Sequence, residues 1–207
     1  MEGLILFASI QQTHPTRKIM HVDELLIQPE MTALSDNQWQ TGDLTIPSDW
    51  AQGRTAFGGI SAGMIYQAIS TQVHDNRVLR SYTTNFVGPL ALNEPFRIVV
   101  TSLRTGKNVS QFTGEIIQNN AVCVFVQACF GTARQSGISV TNTDKHDMPT
   151  PTKAKFIPQI PKVTPKFFRH FDLAINAGGM PFTRKDTSFY HGFMRFTQPP
   201  QKITDAH

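Results

Sequence analysis

Cysteine is scarce in this 207-residue sequence, which contains only Cys123 and Cys129. The two cysteines stand six positions apart in a segment that reads as one β-strand. At roughly 3.3 Å per residue they are about 20 Å apart, beyond the reach of a disulfide. A chain that can form no internal disulfide is typical of a reducing compartment, so we expect a cytoplasmic protein.

Long hydrophobic runs and blocks of like charge are also missing. The apolar run Leu4–Ile10 is too short to span a bilayer and has no basic leader, so neither membrane insertion nor a signal peptide is expected. The net charge of +4 arises from 19 basic and 15 acidic residues that no run concentrates. Because a nucleic-acid footprint needs a basic stripe, we expect no nucleic-acid partner, whereas a mild positive balance suits a phosphate-bearing ligand.

Several catalytic motifs are absent too. The seven histidines lack the i, i+4 or cysteine-paired spacing of metal sites, so the sequence predicts no metal and no other cofactor. The G-G-I-S-A-G segment at 58–63 lacks the preceding buried strand and the spacing of a dinucleotide site. His170 and Asp172 would share a strand face as a dyad, but no nucleophile stands nearby and a structural role is favoured.

The segments that are present predict one buried helix with strands around it. A first strand is expected between Leu34 and Thr45, followed by a loop over Pro47–Thr55. The run Phe57–Val73 is apolar or small almost all round, which is typical of a helix enclosed by a sheet. Gly59 and Gly63 would each weaken an exposed helix by about 1 kcal/mol, so a close approach of the helix to the sheet is expected at these glycines.

Period-two patterning begins at Ser81 and predicts an antiparallel meander. The turns are expected at Thr105–Asn108 and Asn119-Asn120. The nearly continuous apolar strand Val122–Phe130 is predicted to be central and buried on both faces. The strands of the meander are predicted at Ser81–Phe86, Phe96–Arg104, Val109–Gln118 and Val122–Phe130.

After residue 131 the composition changes. Five prolines and no periodicity predict a linker. Two strands, Phe167–Ile175 and Phe189–Phe196, are expected beyond it, separated by the loop Ala177–Pro181. The predicted division is an N-terminal extension 1–29, a complete unit 30–131, a linker 132–165 and a partial second unit 166–207.

The order of F-G-G at 57–59, R-S-Y-T-T-N-F-V-G-P at 80–89 and L-R-T-G-K-N at 103–108 resembles the double-hotdog acyl-CoA thioesterases of the thioesterase II group. Members of that family carry two hotdog repeats joined by a linker. The resemblance implies an α+β hotdog fold, in which an antiparallel sheet wraps around a central helix, with one complete repeat and the opening strands of a second. It also implies hydrolysis of an acyl-CoA to a free acid and CoA by a polarised water.

The resemblance leaves the catalytic residues unassigned. The family's aspartate, threonine or serine, and glutamine come from the second repeat and are expected beyond residue 207, and Asp205 stands too early to match the aspartate. The N–H groups of Gly58 and Gly59 would face the thioester carbonyl, where the helix dipole stabilises an oxyanion. The alternative is that these glycines only let the helix pass through the curved sheet.

Two further sets of polar residues complete the predicted site. The hairpin tip with Arg104, Lys107 and Asn108 would contact CoA phosphates or a partner's carboxylates, or would be a solvated turn. Asn85 would point at the helix, or serve a backbone hydrogen bond. The predicted substrate-binding residues are Phe57, Gly58, Gly59, Asn85, Arg104, Lys107 and Asn108.

Two other functions stay open. The chain would be a non-catalytic acyl- or CoA-binding or interaction module if the second repeat lacks its helix. Strands left without that helix must pair with a neighbouring subunit or with the remainder of the repeat, which predicts a homo-oligomer or poor solubility. A hotdog hydratase or dehydratase ranks lower, because it needs an acid–base pair on the central helix and Gly58–Val73 contains no Asp, Glu or His.

Overall fold

The computed structural model describes residues 19–74, 76–145, 148, 156–160, 162–179 and 184–207. The helices are α1 (Val22–Leu25) and α2 (Gly58–Ser70), and two 3₁₀ turns span Ser48–Trp50 and Lys166–His170. The strands are β1 (Met31–Ser35), β2 (Gln38–Thr41), β3 (Ala51–Gln52), β4 (Thr55–Ala56), β5 (Val78–Phe86), β6 (Arg97–Thr105), β7 (Val109–Gln118), β8 (Ala121–Gly131), β9 (Phe171–Gly178) and β10 (Tyr190–Phe196).

Six strands form one antiparallel sheet in the order β1-β2-β6-β7-β8-β5, and α2 packs against β6, β7 and β8. Helix residues Ile65 and Ile69 and strand residues Ile98 and Ile116 are completely buried between the two layers. A helix that is apolar nearly all round needs such cover, because exposed apolar area costs about 25 cal/mol per Å². The prediction of an α+β fold with a sheet around a central helix is confirmed.

Helix and sheet approach each other closely at a glycine of β7. A methyl group at Gly114 would stand 2.3 Å from Ile65 Cγ2 and 3.2 Å from Ile69 Cδ1. The expectation that Gly59 and Gly63 make this approach is wrong. A methyl group at Gly59 would meet the ring of Phe57, and one at Gly63 would meet Leu26 and the Ala206 carbonyl. Residues four apart share a helix face, and that face points away from the sheet.

The meander is confirmed to within a few residues at each strand end. Asn119 and Asn120 both adopt positive φ, 51° and 61°, as a two-residue turn between twisted strands requires. Strand β8 lies between β7 and β5, yet it is not buried on both faces as predicted, since Gln127 is exposed. The reason is that α2 covers one face only, so alternate residues of β8 reach the surface.

The predicted first strand is a hairpin. Strands β1 and β2 pair antiparallel, with Ser35 opposite Gln38, and the Asn37 N–H donates to Ser35 Oγ at 3.4 Å in the turn. Ser, Asp and Asn side chains bond to nearby backbone and favour turns, so the sequence at 35–37 carried the signal. The predicted loop Pro47–Thr55 contains a 3₁₀ turn and the small β3–β4 hairpin.

Residues assigned to the N-terminal extension contribute to the core. Val22, Leu25 and Leu26 are 3 to 6 % exposed and pack with the core of α2 and the sheet. A capping box fixes α1, in which the His21 side chain accepts from a backbone N–H and Glu24 accepts from the His21 N–H at 3.0 Å. The domain boundary at residue 30 stays a prediction, and the run Leu4–Ile10 lies outside the described residues.

The C-terminal residues form a small unit. Strands β9 and β10 pair antiparallel from Phe171 opposite Phe196 to Gly178 opposite Tyr190. The first of the two predicted strands starts four residues late, since residues 166–170 form a 3₁₀ turn after Pro165. From the predicted linker, Phe156 bridges to Ala174, and the Ile157 N–H donates to the Leu173 carbonyl at 2.8 Å. Parts of that linker and of the predicted loop Ala177–Pro181 lie outside the described residues.

Candidate functional site

The N-terminus of α2 is held in place by the elements before it. Phe57 is the N-cap residue, with extended φ and ψ of −60° and 126°. Its N–H donates to the Trp50 carbonyl at 2.9 Å, and the Ala56 N–H donates to the Leu90 carbonyl at 3.0 Å. The first N–H groups of a helix have no acceptor within the helix and carry the positive end of its dipole. The first turn of α2 therefore offers a fixed positive end.

Aromatic rings fill the space beside both glycines of this turn. A methyl group at Gly58 would stand 2.7 Å from Phe86 Cζ, and one at Gly59 would stand 2.5 Å from Phe57 Cε1. The Phe86 ring is nevertheless 61 % exposed, so it has room to change rotamer. In this conformation the missing side chains of the two glycines make room for the protein's own aromatic rings. This arrangement favours a packing role for the glycines over direct contact with a ligand.

Asn85 faces away from the helix. Its neighbour Tyr82 lies on the inner face of β5, where its hydroxyl donates to the Ala62 carbonyl at 2.7 Å. Asn85 is opposite Phe125 and exposed on the outer face. Because side chains alternate along a strand, residues at odd spacing from Tyr82 point outward. The expectation that Asn85 points at α2 is therefore wrong.

The hairpin tip with Arg104, Lys107 and Asn108 lies at the opposite end of the sheet from the start of α2. Phe86, which covers Gly58, is level with Val124 and Ile116, whereas the tip begins at Val109, seven residues earlier along β7. At about 3.4 Å per residue the separation is roughly 24 Å. The structure thus does not bring the two predicted sets of substrate-binding residues together.

Arg77, which the sequence analysis did not single out, holds the hairpin tip. Its guanidinium donates to the Gly106 carbonyl at 2.7 Å and the Lys107 carbonyl at 3.4 Å, and also to Ser110 Oγ. The Thr132 N–H donates to the Asn108 carbonyl at 3.0 Å. These bonds fix the backbone of the tip while the Arg104 and Lys107 side chains stay exposed.

An aromatic seam joins the C-terminal unit to the start of α2. It consists of Trp50, Phe57, Phe167, His170 and Phe171. The Trp50 and His170 rings stack at 3.8 Å, and the Phe57 and Phe167 rings stack at 4.0 Å. Stacked pairs add about 0.5–1.5 kcal/mol beyond the area that they bury. The run F-F-R-H-F at 167–171 was the sequence signal, but its partners are more than 100 residues away along the chain.

His170 faces Asp49, not Asp172. Its Nε2 lies 3.5 Å from Asp49 Oδ2, with both side chains nearly buried, and Asp49 also accepts the Met20 N–H at 2.9 Å. Burial lowers the pKa of His170 from 6.5, against the opposing field of Asp49. Asp172 pairs with Arg195 at 3.0 Å. His170 and Asp172 therefore do not form the dyad that their spacing suggested.

The C-terminal tail, residues 197–207, docks on α1 and α2. Asp23 accepts the Gln201 N–H at 2.9 Å, a bond that lowers the pKa of its carboxyl, and lies 3.5 Å from His207 Nε2. The Tyr66 hydroxyl donates to Asp205 at 3.1 Å, and burial with the Asp205 carboxylate raises the pKa of Tyr66 to about 12. Tyr66 is eight residues from Gly58, about 12 Å along the helix, so Asp205 does not reach the start of α2.

A cleft of about 620 Å³ opens between β9, β10 and the tail. We call it the β9–β10 cleft. Its apolar lining residues are Phe171, Met194, Phe196, Pro199, Pro200 and Ile203. Across the described ranges, no group of three or more His, Cys, Asp or Glu side chains is placed to hold a metal ion. Among those same residues no helix is long and apolar enough to cross a membrane.

Residues 46–131 match the family model of the acyl-CoA thioesterase N-terminal domain. A hotdog-fold protein of unknown function from Alicyclobacillus acidocaldarius is 21% identical, with a TM-score of 0.66 over 86% of this chain and 64% of its own. A protein provisionally named thioesterase II from Thermobifida fusca is 13% identical, with a TM-score of 0.55 over 74% of this chain and 53% of its own.

No curated protein matches the chain. The chain spans less than two thirds of the length of either structure. At these identities the two structures show the fold alone, and that fold is the hotdog, as the sequence predicted. Residues 46–131 are thus similar in sequence to the acyl-CoA thioesterase N-terminal domain, and the chain has the hotdog fold.

Proposed function

We propose that this chain binds acyl-CoA and contributes to a site that hydrolyses the thioester to a free acid and CoA. The match of residues 46–131 to the acyl-CoA thioesterase N-terminal domain carries the proposal. That segment includes the whole of α2 and the residues Trp50 and Leu90, whose carbonyls hold its N-terminus.

The first turn of α2 would stabilise charge on the thioester oxygen. When a water attacks the carbonyl carbon, negative charge develops on the oxygen, and backbone N–H groups at a helix N-terminus stabilise such charge. Gly58 and Gly59 are the residues whose N–H groups we propose for this role. For the carbonyl to reach Gly58, the exposed ring of Phe86 would have to change rotamer.

The group that activates the water is not assigned. Asp205 is held by Tyr66, about 12 Å from Gly58 along α2, and His170 is engaged with Asp49 and Trp50. The charged residues of the hairpin tip, Arg104 and Lys107, are proposed to meet CoA phosphates. Because they lie roughly 24 Å from Gly58, they would contact the far end of the ligand and not its thioester.

The test is thiol release from acetyl-, octanoyl- and hexadecanoyl-CoA, with binding of the same thioesters measured by calorimetry. The Gly58→Ala variant places a methyl group where the thioester would approach, so we expect at least a tenfold loss of binding or turnover. Gly42→Ala is the matched control, since no atom lies within 4 Å of its added methyl group. A folded chain that neither binds nor cleaves any of the three would contradict the proposal.

A non-catalytic acyl- or CoA-binding unit is the second candidate. The rings of Phe86 and Phe57 beside the two glycines favour it, because they occupy the space that a reacting thioester needs. Binding of the thioesters without thiol release would select this function. A cytoplasmic location and a homo-oligomeric assembly remain predictions.

A further inference from the structure

We propose that the β9–β10 cleft binds the straight hydrocarbon chain of an acyl group. The inference rests on the proposed function and adds the place where the acyl chain lies. A volume of about 620 Å³ falls within the 300–1,000 Å³ of ordinary small-molecule sites.

The lining of the cleft is apolar and still open to solvent. Met194 is 67 % exposed and Ile203 is 75 % exposed, and both line the cleft together with two phenylalanines and two prolines. Exposed apolar side chains gathered in one concave place mark binding sites more often than single exposed ones do. Methionine is unbranched and fills irregular gaps, which suits a flexible chain.

The charged groups at the cleft are paired with one another. Arg195 donates to Asp172 at 3.0 Å and lies 4.6 Å above the ring of Phe156. His207 lies 3.5 Å from Asp23. Because Arg195 and Asp172 already pair with each other, an uncharged hydrocarbon fits the cleft better than a phosphate or a carboxylate.

The cleft adjoins the start of α2. Phe171 lines the cleft, and its ring meets the ring of Phe57, the N-cap residue of α2, edge-on at 5.9 Å. The acyl chain of a thioester held at Gly58 would have to pass Phe57 and Phe171 to enter the cleft. Each methylene buried there adds about fourfold to affinity.

The experiment measures binding of dodecanoate, dodecanoyl-CoA and CoA to the full 207-residue chain by calorimetry. Met194→Trp fills the cleft, so we expect at least a tenfold loss of affinity for dodecanoate and dodecanoyl-CoA and no change for CoA. Val163→Trp is the control, since Val163 is similarly exposed, at 72 %, and does not line the cleft. Circular dichroism establishes that both variants are folded.

Equal binding of dodecanoate to the wild type and to both variants would overturn the proposal, and so would no binding of dodecanoate at all. A halved particle mass of Met194→Trp in light scattering would assign the cleft to a second copy of the chain and would also overturn it. Failure of the proposed function has a different signature. In that case dodecanoate still binds in the cleft, but the affinities for CoA and for the thioesters are the same in Gly58→Ala as in the wild type.

Discussion

The first unit, residues 19–131, and the C-terminal unit, residues 156–160, 162–179 and 184–207, are held together in different ways. The first unit buries its own core between α2 and the six-stranded sheet. In the C-terminal unit, the buried side chains among the described residues are those of Phe167, His170 and Ala174. Phe167 stacks on Phe57 and His170 stacks on Trp50, and both partners belong to the first unit. The C-terminal unit therefore depends on the first for its order.

A two-stranded hairpin has marginal stability in water, so contacts across the seam decide whether it stays ordered. The tail adds polar contacts, through Asp23 to Gln201 and through Tyr66 to Asp205, but these groups are partly exposed and stabilise less than the buried rings. Damage to the first unit should therefore unfold both units, whereas damage to the seam should release only the C-terminal unit.

Gly114→Ala is expected to have the largest effect. The added methyl group would lie 2.3 Å from the completely buried Ile65, so α2 must move away from the sheet. Overpacking of this kind costs about 1–3 kcal/mol. Urea denaturation followed by circular dichroism should show this loss of unfolding free energy with a single transition for both units.

Gly42→Ala is the control for the chemical change itself, because it adds the same methyl group where no atom lies within 4 Å. It should change the unfolding free energy by only a few tenths of a kcal/mol. Equal losses in the two variants would show that the helix is not seated on Gly114, and the contrast between the two units would lose its basis.

Phe167→Ala should act on the seam alone. Phe167 is 8 % exposed and stacked on Phe57, so its loss removes the main apolar contact of the C-terminal unit. Hydrogen exchange should rise at least tenfold in β9 and β10 and stay unchanged in β6, β7 and β8. Phe189→Ala is the control, since that ring is 56 % exposed and makes its ring contact with His191. Uniformly faster exchange in all strands would show instead that the two units share one core.

The meander and the central helix were predictable because their signals are local. Alternation along β5 to β8 and the turn residues Gly106 and Asn119 specify strands and turns without reference to distant residues. The hairpin of β1 and β2 also has a local signal, Ser35, Asp36 and Asn37, although the predicted first strand covers both strands.

The candidate site was less predictable, since it depends on contacts between distant residues. Nothing near Gly58 in the sequence indicates that Phe86 covers it, or that Phe57 stacks on Phe167. Asn85 shows how a single residue can mislead, because a strand has two faces and the sequence around it does not say which one the helix covers. The distance from Gly58 to Lys107 is likewise set by how β5, β7 and β8 pair, which the sequence does not specify.

Acidification should give the smallest effect, again at the seam. Burial holds the pKa of folded His170 below 6.5, while Asp49 opposes this shift and Arg169 and His21 add to it. The unfolded chain therefore binds the proton more readily, and the stability from neutral His170 is complete above about pH 6.5 and lost as the pH falls through the lower folded value. The fluorescence of Trp50, which stacks on His170, should report release of the C-terminal unit at lower urea concentrations at pH 5 than at pH 7.

His170→Phe keeps a ring on Trp50 but cannot titrate, so this pH dependence should shrink. It should persist in His74→Gln, whose side chain lies outside the seam. An unchanged pH dependence in His170→Phe would mean that other groups control the seam, and that its stacked rings, not the charge state of His170, account for its stability.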